Sequence, residues 1–368
     1  MKIGIDITET FKSRRTGAAY FVVNLVEALL ALEAPVNPPA EYTFYYRWSR
    51  RRMGATGHLP PGHSGHGYLA PGWWPWRSPL DIVHGFQDRV PAWRGPAKVI
   101  TLFDVMPALE SAPHWMSRHF IDKRKKQFAA VAAGCDLVLC ISETTKRDFL
   151  RFFPCPEERV RVTYPGVSPR FSPLAREPGG RVAARYGLPE HYMLFVGESS
   201  PRKNLVRLIQ AFTRSSVSKD CVLVIAGAVD PAVRQWLAEW RATAPEARLQ
   251  LTGYVADGDL PALYAGARAF LFPSLYEGFG LPIIEAMACG VPVLIGHQGA
   301  GPEVAGPHAV VVDPYDVESI TAGIARVASV SARELEAARR HAQTFSWEQC
   351  AQQTLAAYQW ARQHHRQT

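Results

Sequence analysis

The sequence predicts an α/β protein built as two doubly wound parallel sheets, and three observations carry that expectation. Short apolar runs alternate with segments of helical periodicity along most of the chain. The alternation occurs twice, on either side of a proline- and glycine-rich stretch at 168–190. The length of 368 residues exceeds one ordinary core and suits two domains of roughly 150–200 residues each. Doubly wound sheets bind ligands beyond the carboxyl ends of their strands. In a two-domain chain those ends are expected to face each other across a cleft.

Taken in order, residues 2–7 read as a short buried strand, 18–32 as a helix and 41–46 as an alternating strand. Residues 47–80 are irregular, rich in Gly, Pro, Arg and Trp. Strand ends follow at 81–84 and 98–103. Residues 117–133 form an amphipathic helix carrying Lys123, Arg124, Lys125 and Lys126. A strand at 137–141 leads to Ser142, an expected N-cap for a helix over 143–153. Residues 160–164 are again a strand. The second half repeats the pattern more cleanly, with strands at 192–197, 221–226, 249–251, 269–272, 293–295 and 309–312. Helices are expected at 204–212, 231–242, 260–265, 282–289 and 317–328. The last stretch, 346–365, is a helix capped by Ser346. The domain expectation is 1–175 and 188–345, joined by the proline-rich linker, with 346–368 as a terminal helix.

Composition bounds the function. An apolar content of 47% with 20% charged residues marks a globular protein. No run approaches the roughly 18–20 apolar residues of a membrane span. Asp6 interrupts the apolar start, so no signal peptide is expected. The six cysteines are scattered without a C-x-x-C pair, which predicts reduced, buried thiols in a cytoplasmic protein with no metal site. Through residue 180 there are 24 basic residues against 16 acidic ones, and beyond it 17 against 17. All of the net +8 therefore lies in the first half and suggests an anionic partner.

The richest segment runs from Pro273 to Gly290, PSLYEGFGLPIIEAMACG, after an apolar strand and into a helix. Pro282 suits the first helical turn and Gly290 the stop. Gly278 and Gly280 let backbone amides approach a ligand, and the helix N-terminus behind them favours an anion. Glu277 and Glu285 frame this loop. A loop charge and an unrelated surface charge would be the plain reading of two such glutamates; the glycines and the strand–loop–helix context argue against it. In a second segment, Arg202 and Lys203 follow a strand and precede a helix, in the run Pro201-Arg202-Lys203-Asn204. The helix dipole disfavours cations there, which a merely solvated helix start does not explain. Two such cations suit a diphosphate, Arg as a bidentate fork and Lys as a point charge.

The Glu277–Glu285 segment resembles the E-x7-E region of family 4 glycosyltransferases, which have the two-domain GT-B fold. The Arg202-Lys203-Asn204 run resembles that family's R-K-N pattern. Leu251-Thr252-Gly253-Tyr254-Val255, Ile141–Lys146, Val162–Val167 and the glycine loop around Gly17 resemble further family motifs. The resemblance covers about residues 1–365, and its second-domain motifs are the specific ones. It implies that Glu277 contacts the donor sugar, Glu285 the nucleotide ribose, and Arg202 and Lys203 the donor phosphates. The donor-binding set also includes Gly17, Gly253, Tyr254, Ser274, Leu275, Gly278, Phe279, Gly280 and Leu281. The terminal helix is expected to return to the first domain. One departure stands out. The family often has His-Asp after a first-domain strand, and here Phe103-Asp104 occupies that place. Phe103 cannot exchange a proton or hydrogen-bond a sugar. Asp104 is expected to orient the acceptor, with His84 a substitute for the imidazole and Tyr20 and Phe103 lining the acceptor site.

The expected function is a retaining, metal-independent glycosyltransferase with no cofactor. It would move a hexosyl group, first mannose from a GDP-sugar, to a glycan acceptor linked to polyprenyl diphosphate in polysaccharide or O-antigen synthesis. Arg14, Arg15, Arg47, Arg50, Arg51, Arg52 and the Lys123–Lys126 run, with Trp73, Trp74 and Trp76, suit an anionic inner-leaflet surface, a sugar-stacking platform or both, against the plain reading of tryptophans packed on the domain and a solvated helix face. A UDP-sugar-dependent enzyme with a soluble acceptor is the alternative. A nucleic-acid-binding protein with a vestigial sugar-nucleotide site is the alternative from another class. It lacks RNP, helix-turn-helix or finger signatures, so no nucleic-acid partner is expected.

Overall fold

The computed structural model describes residues 1–11, 16–32, 40–47, 65–68, 80–87, 95–109, 116–175, 180–244 and 247–365. The chain divides into two units, Met1–Gly166 with Ser346–Thr368, and Val167–Phe345. Each contains one parallel sheet.

The first sheet contains β1 (Lys2–Asp6), β2 (Glu41–Arg47), β3 (Gly65–Tyr68), β4 (Ile82–Phe86), β5 (Ala97–Leu102), β6 (Leu137–Cys140) and β7 (Val160–Val162). Its order is β3-β2-β1-β4-β5-β6-β7, every described pairing parallel. The central strands β4, β5 and β6 are largely apolar and buried, as expected where helices cover both faces. Phe128 and Val131 of the helix Arg118–Gly134, and Phe149 of the helix Glu143–Phe152, close the core over β5 and β6. Ser117 and Ser142 cap those helices by accepting from the amides of Phe120 and Thr145.

The second sheet contains β8 (Tyr192–Val196), β9 (Val222–Ala226), β10 (Leu249–Gly253), β11 (Ala269–Phe272), β12 (Val293–Gly296) and β13 (Ala309–Val312). Its order is β10-β9-β8-β11-β12-β13, again parallel. Connections leave β8 toward β9 on one side and reach β11 on the other. The crevice of such a sheet opens at the carboxyl ends of β8 and β11.

Several expectations need correction. The unit boundary falls at Gly166/Val167, not within 168–190. That stretch belongs to the second unit: Phe171 is buried against Tyr264, and the helix Arg181–Tyr186 is tied to Asp259 through Arg181, Arg185 and Tyr186. The strand β3 lies inside a segment expected to be irregular, because Gly65-His66-Gly67-Tyr68 shows no apolar alternation. The helices Gly301–Ala305 and Ala332–Ala342 were not expected.

The terminal helix Trp347–Gln363 is part of the first unit and packs on the helix Gly17–Ala31, β4 and β5. Gly166 permits its entry: a Cβ there would lie 2.0 Å from the Trp347 backbone nitrogen. Inside the seam the Tyr358 hydroxyl hydrogen-bonds His84 Nδ1 at 2.6 Å, and His84 Nε2 meets the Thr101 hydroxyl at 2.8 Å. All three side chains are fully buried. His84 is thus not an acceptor group. It stands within β4 with both ring nitrogens engaged, and burial pushes its pKa down to about 3.

This seam makes two linked predictions. Tyr358→Phe orphans a buried ring nitrogen and should cost about 1–3 kcal/mol, read as a lower urea midpoint. The depressed His84 pKa contributes stability that is complete above pH 6.5 and is lost as pH falls toward about 3. His84→Gln should flatten that acid limb of the urea-midpoint profile.

Candidate active site

The β8 strand ends at Val196, and the chain then turns through Pro201–Lys203 into the helix Leu205–Arg214. Asn204 closes this turn in the left-handed conformation, with φ of 59°. Its buried carboxamide donates to the carbonyls of Pro273, at 3.0 Å, and Pro314, at 2.6 Å. The loops after β8, β11 and β13 are thereby tied at one point. The Leu275 amide donates to the Arg202 carbonyl at 2.8 Å, a second tie between the same two loops.

Glu277 lies where these ties converge. Its Oε2 accepts from Arg202 Nη1 at 2.5 Å and its Oε1 from Lys203 Nζ at 2.8 Å. Arg202 also donates to the Tyr276 carbonyl, and Lys203 Nζ sits 4.2 Å from the centre of the Phe272 ring. Burial raises the Glu277 pKa; Arg202, Lys203 and the Ser274 hydroxyl outweigh it and hold it at about 2. Burial also lowers Lys203 to about 8, against the pull of Glu277. The cluster carries two cations and one carboxylate, a net positive site at the carboxyl edge of β8 and β11.

Three glycines carry this edge across the neighbouring strands. Gly197, Gly227 and Gly253 follow or end β8, β9 and β10, each with positive φ. A Cβ on Gly227 would lie 2.1 Å from the Gly197 carbonyl oxygen, and the Gly227 amide donates to the Gly253 carbonyl. Backbones there touch in a way no side chain permits. Gly299, with φ of +71°, likewise lets the β12 loop press on the Glu277 backbone, where the Ala300 amide donates to the Glu277 carbonyl.

Gly280 caps the helix Leu281–Ala288 in a left-handed conformation, with Leu281 and Pro282 opening it. Gly278, Phe279 and Gly280 form the loop in front. The Phe279 ring is buried edge-on against Phe345. Glu285, one turn into the helix, is buried apart from the Glu277 cluster. Burial raises its pKa to about 7, with Tyr264 and Arg170 pulling down and Asp257 pushing up. Asp257 in turn accepts from the Tyr254 hydroxyl at 3.2 Å, and Tyr254 is 52% exposed. Tyr254 and Glu285 thus share one acidic neighbourhood.

In the first unit the expected residues are less concentrated. Gly17 begins the helix Gly17–Ala31, and the space at its Cβ position is open. Tyr20 meets Trp347 edge-on. Phe103 stacks on Phe86 and abuts Phe21, so an apolar cluster occupies the place of the family's imidazole. Asp104 is half-buried and its Oδ1 accepts from the Met106 amide at 3.1 Å. Arg14, Arg15, Arg50, Arg51, Arg52, Trp73, Trp74 and Trp76 lie outside the described residues. Among the described residues no three His, Cys, Asp or Glu side chains group as metal ligands, and no helix is long and apolar enough to cross a membrane. The cysteines are free thiols, buried except for the half-buried Cys155. Asn204, Gly227 and Gly299 hold the site and had no assigned role in the sequence reading.

Comparison with known proteins agrees with this geometry. Residues 185–343 match the group 1 glycosyl transferases, and residues 16–171 match glycosyltransferase family 4. O-antigen chain mannosyltransferase B of Escherichia coli is 34% identical over 288 residues, 75% of this chain and 74% of that one. The serotype-specific mannosyltransferase WbdA of Escherichia coli is 28% identical over 279 residues, 73% of this chain but 34% of that one. The chain therefore spans about a third of the length of the latter relative. Among solved structures, sucrose-phosphate synthase from Thermosynechococcus elongatus superposes with a TM-score of 0.77, 19% identity and 98% coverage of both chains. That likeness is one of fold, two Rossmann-like sheets of the GT-B type. With both family models matched and a relative of this identity, the chain belongs to the group 1, family 4 glycosyltransferases.

Proposed function

We propose that the protein is a retaining mannosyltransferase that moves mannose from GDP-mannose to a glycan carried on a polyprenyl diphosphate, in assembly of a surface polysaccharide. The Arg202–Glu277–Lys203 cluster at the β8/β11 edge carries this reading. The choice of mannose is supported by the mannosyltransferase relatives. As the anomeric C–O bond breaks, negative charge grows on the departing diphosphate. Arg202, Lys203 and the amides opening the helix Leu281–Ala288 stabilise that charge in place. The leaving phosphate oxygen takes the acceptor proton as the acceptor oxygen bonds the anomeric carbon on the same face. Configuration is kept, and no imidazole is needed where Phe103 stands. Glu277 orients both cations and meets the sugar hydroxyls; Glu285 accepts from the ribose. Because side chains supply the positive charge, turnover requires no divalent ion.

A thermal-shift panel of GDP-, UDP-, ADP- and dTDP-sugars should give its largest shift with GDP-mannose, unchanged by EDTA. Arg202→Ala should abolish that shift and lower kcat about 100- to 1000-fold. A full shift in Arg202→Ala would remove the phosphate assignment, and a larger shift with UDP-sugars would move the base.

Donor affinity should peak between about pH 7 and pH 8. Below about 7 Glu285 is protonated and its bond from the ribose loses the assistance of the negative charge; above about 8 Lys203 loses its charge. Glu285→Gln should flatten the acid limb of the affinity profile and Lys203→Arg the alkaline one. A profile with both limbs in both variants would contradict the assignment.

The membrane reading is supported by the helix Arg118–Gly134, which exposes Arg118, Lys123, Lys125 and Lys126 with Phe120 44% exposed. Wild type should sediment with phosphatidylglycerol vesicles, and Lys123→Glu/Lys125→Glu/Lys126→Glu should stay largely in the supernatant. Equal sedimentation of the two would count against this surface.

A further inference from the structure

Among the described residues, two that are not glycine hold a positive φ: Gln87 at 65° and Asn204 at 59°. Such a conformation is uncommon for a residue with a side chain and persists only where its surroundings impose it. Asn204 is accounted for, since its carboxamide ties three loops together. Gln87 is different. Its amide N–H donates to the Thr101 carbonyl at 2.7 Å, and its half-buried carboxamide has no partner among the described residues.

Gln87 stands one residue beyond β4. That strand pairs with β1, placing His84 opposite Ile5, and with β5, placing Phe86 opposite Thr101. The order β3-β2-β1-β4-β5 makes the β1/β4 edge the reversal point of the first sheet. It is the counterpart, in this unit, of the edge that holds the charged cluster in the other. Beside Gln87, past β5, stand the half-buried Phe103 and Asp104. The Phe86 and Phe103 rings are parallel to within 7°, an apolar pair at the ends of β4 and β5.

We propose that Gln87 is a specificity-determining residue whose carboxamide hydrogen-bonds a hydroxyl of the acceptor sugar. The proposal rests on reading the protein as a glycosyltransferase with a glycan acceptor. A carboxamide is uncharged and both donates and accepts, which matches a sugar hydroxyl that does the same. The left-handed backbone sets the side chain's departure from the strand edge, and the bond to Thr101 holds it there.

The test uses the full chain with GDP-mannose as donor and mannobiose as the acceptor probe, followed by GDP release. Glycine adopts a positive φ without strain, so Gln87→Gly removes the carboxamide while leaving the melting temperature no lower than wild type. KM for mannobiose should rise about tenfold in Gln87→Gly, with GDP-mannose affinity and acceptor-free donor hydrolysis within about twofold of wild type. Gln87→Asn tolerates the same backbone and keeps a shorter carboxamide, so its KM should fall between the two. An unchanged KM for mannobiose in Gln87→Gly, or an equal rise for GDP-mannose, overturns the proposal. Wild type that releases no GDP from GDP-mannose overturns the functional reading itself and this assignment with it.

Discussion

The second unit is organised around one carboxylate placed between two cations. Arg202 and Lys203 are adjacent in sequence, so they repel each other, and Lys203 is largely withdrawn from water. Without a counter-charge that turn would favour a neutral lysine. Glu277 reverses the balance by meeting both cations at hydrogen-bond distance. The price is a desolvated glutamate, offset by the same two partners.

That arrangement depends on backbone that few sequences tolerate. Asn204 is left-handed, and Gly197, Gly227, Gly253, Gly280 and Gly299 all have positive φ around one sheet edge. The conformations serve close approach: Gly227 on the Gly197 carbonyl, Gly299 on the Glu277 backbone. Glycine takes such angles freely, so the strain is that of the left-handed Asn204. It is carried by the buried core of the second sheet, where Phe195, Leu223, Phe270, Leu271 and Leu294 are fully enclosed.

Much of this was legible in the sequence because the central strands of the second sheet, β8, β9, β11 and β12, are buried on both faces. Its strands are short apolar runs, and the charged and glycine-rich segments mark their ends. Arg202 and Lys203 were identifiable as cations set against the helix dipole and Glu277 from its glycine-rich strand–loop–helix context; their mutual pairing was not, since β8 and β11 become neighbours only through the strand order. The helix Ala332–Ala342 carried a readable signal in Ser331-x-x-Glu334, which the structure displays as a capping box. The strand β3 carried none. The 168–190 stretch misled because proline and glycine also punctuate packed turns, and Asp259 anchors this one. His84 misled for a related reason: a histidine near a strand end looks available until the terminal helix, almost 300 residues later in the chain, supplies Tyr358.

The two sheets share a winding and differ in what fills their reversal points. In the second, charge is concentrated and compensated within a few ångströms. In the first, Phe86, Gln87 and Phe103 follow or end β4 and β5 uncharged, while the carboxylates there already accept from backbone amides, Asp6 from Thr8 and Asp104 from Met106. Replacing an imidazole by Phe103 fits that environment, because Phe21 and Phe86 offer ring contacts and no hydrogen-bond partner. An ionisable group there would be desolvated without compensation. Chemistry that relies on the leaving group for its proton transfer removes the need for one. The uncharged reversal point of the first sheet and the charged one of the second are what the proposed mechanism asks for, in which the donor's own phosphate serves as the base.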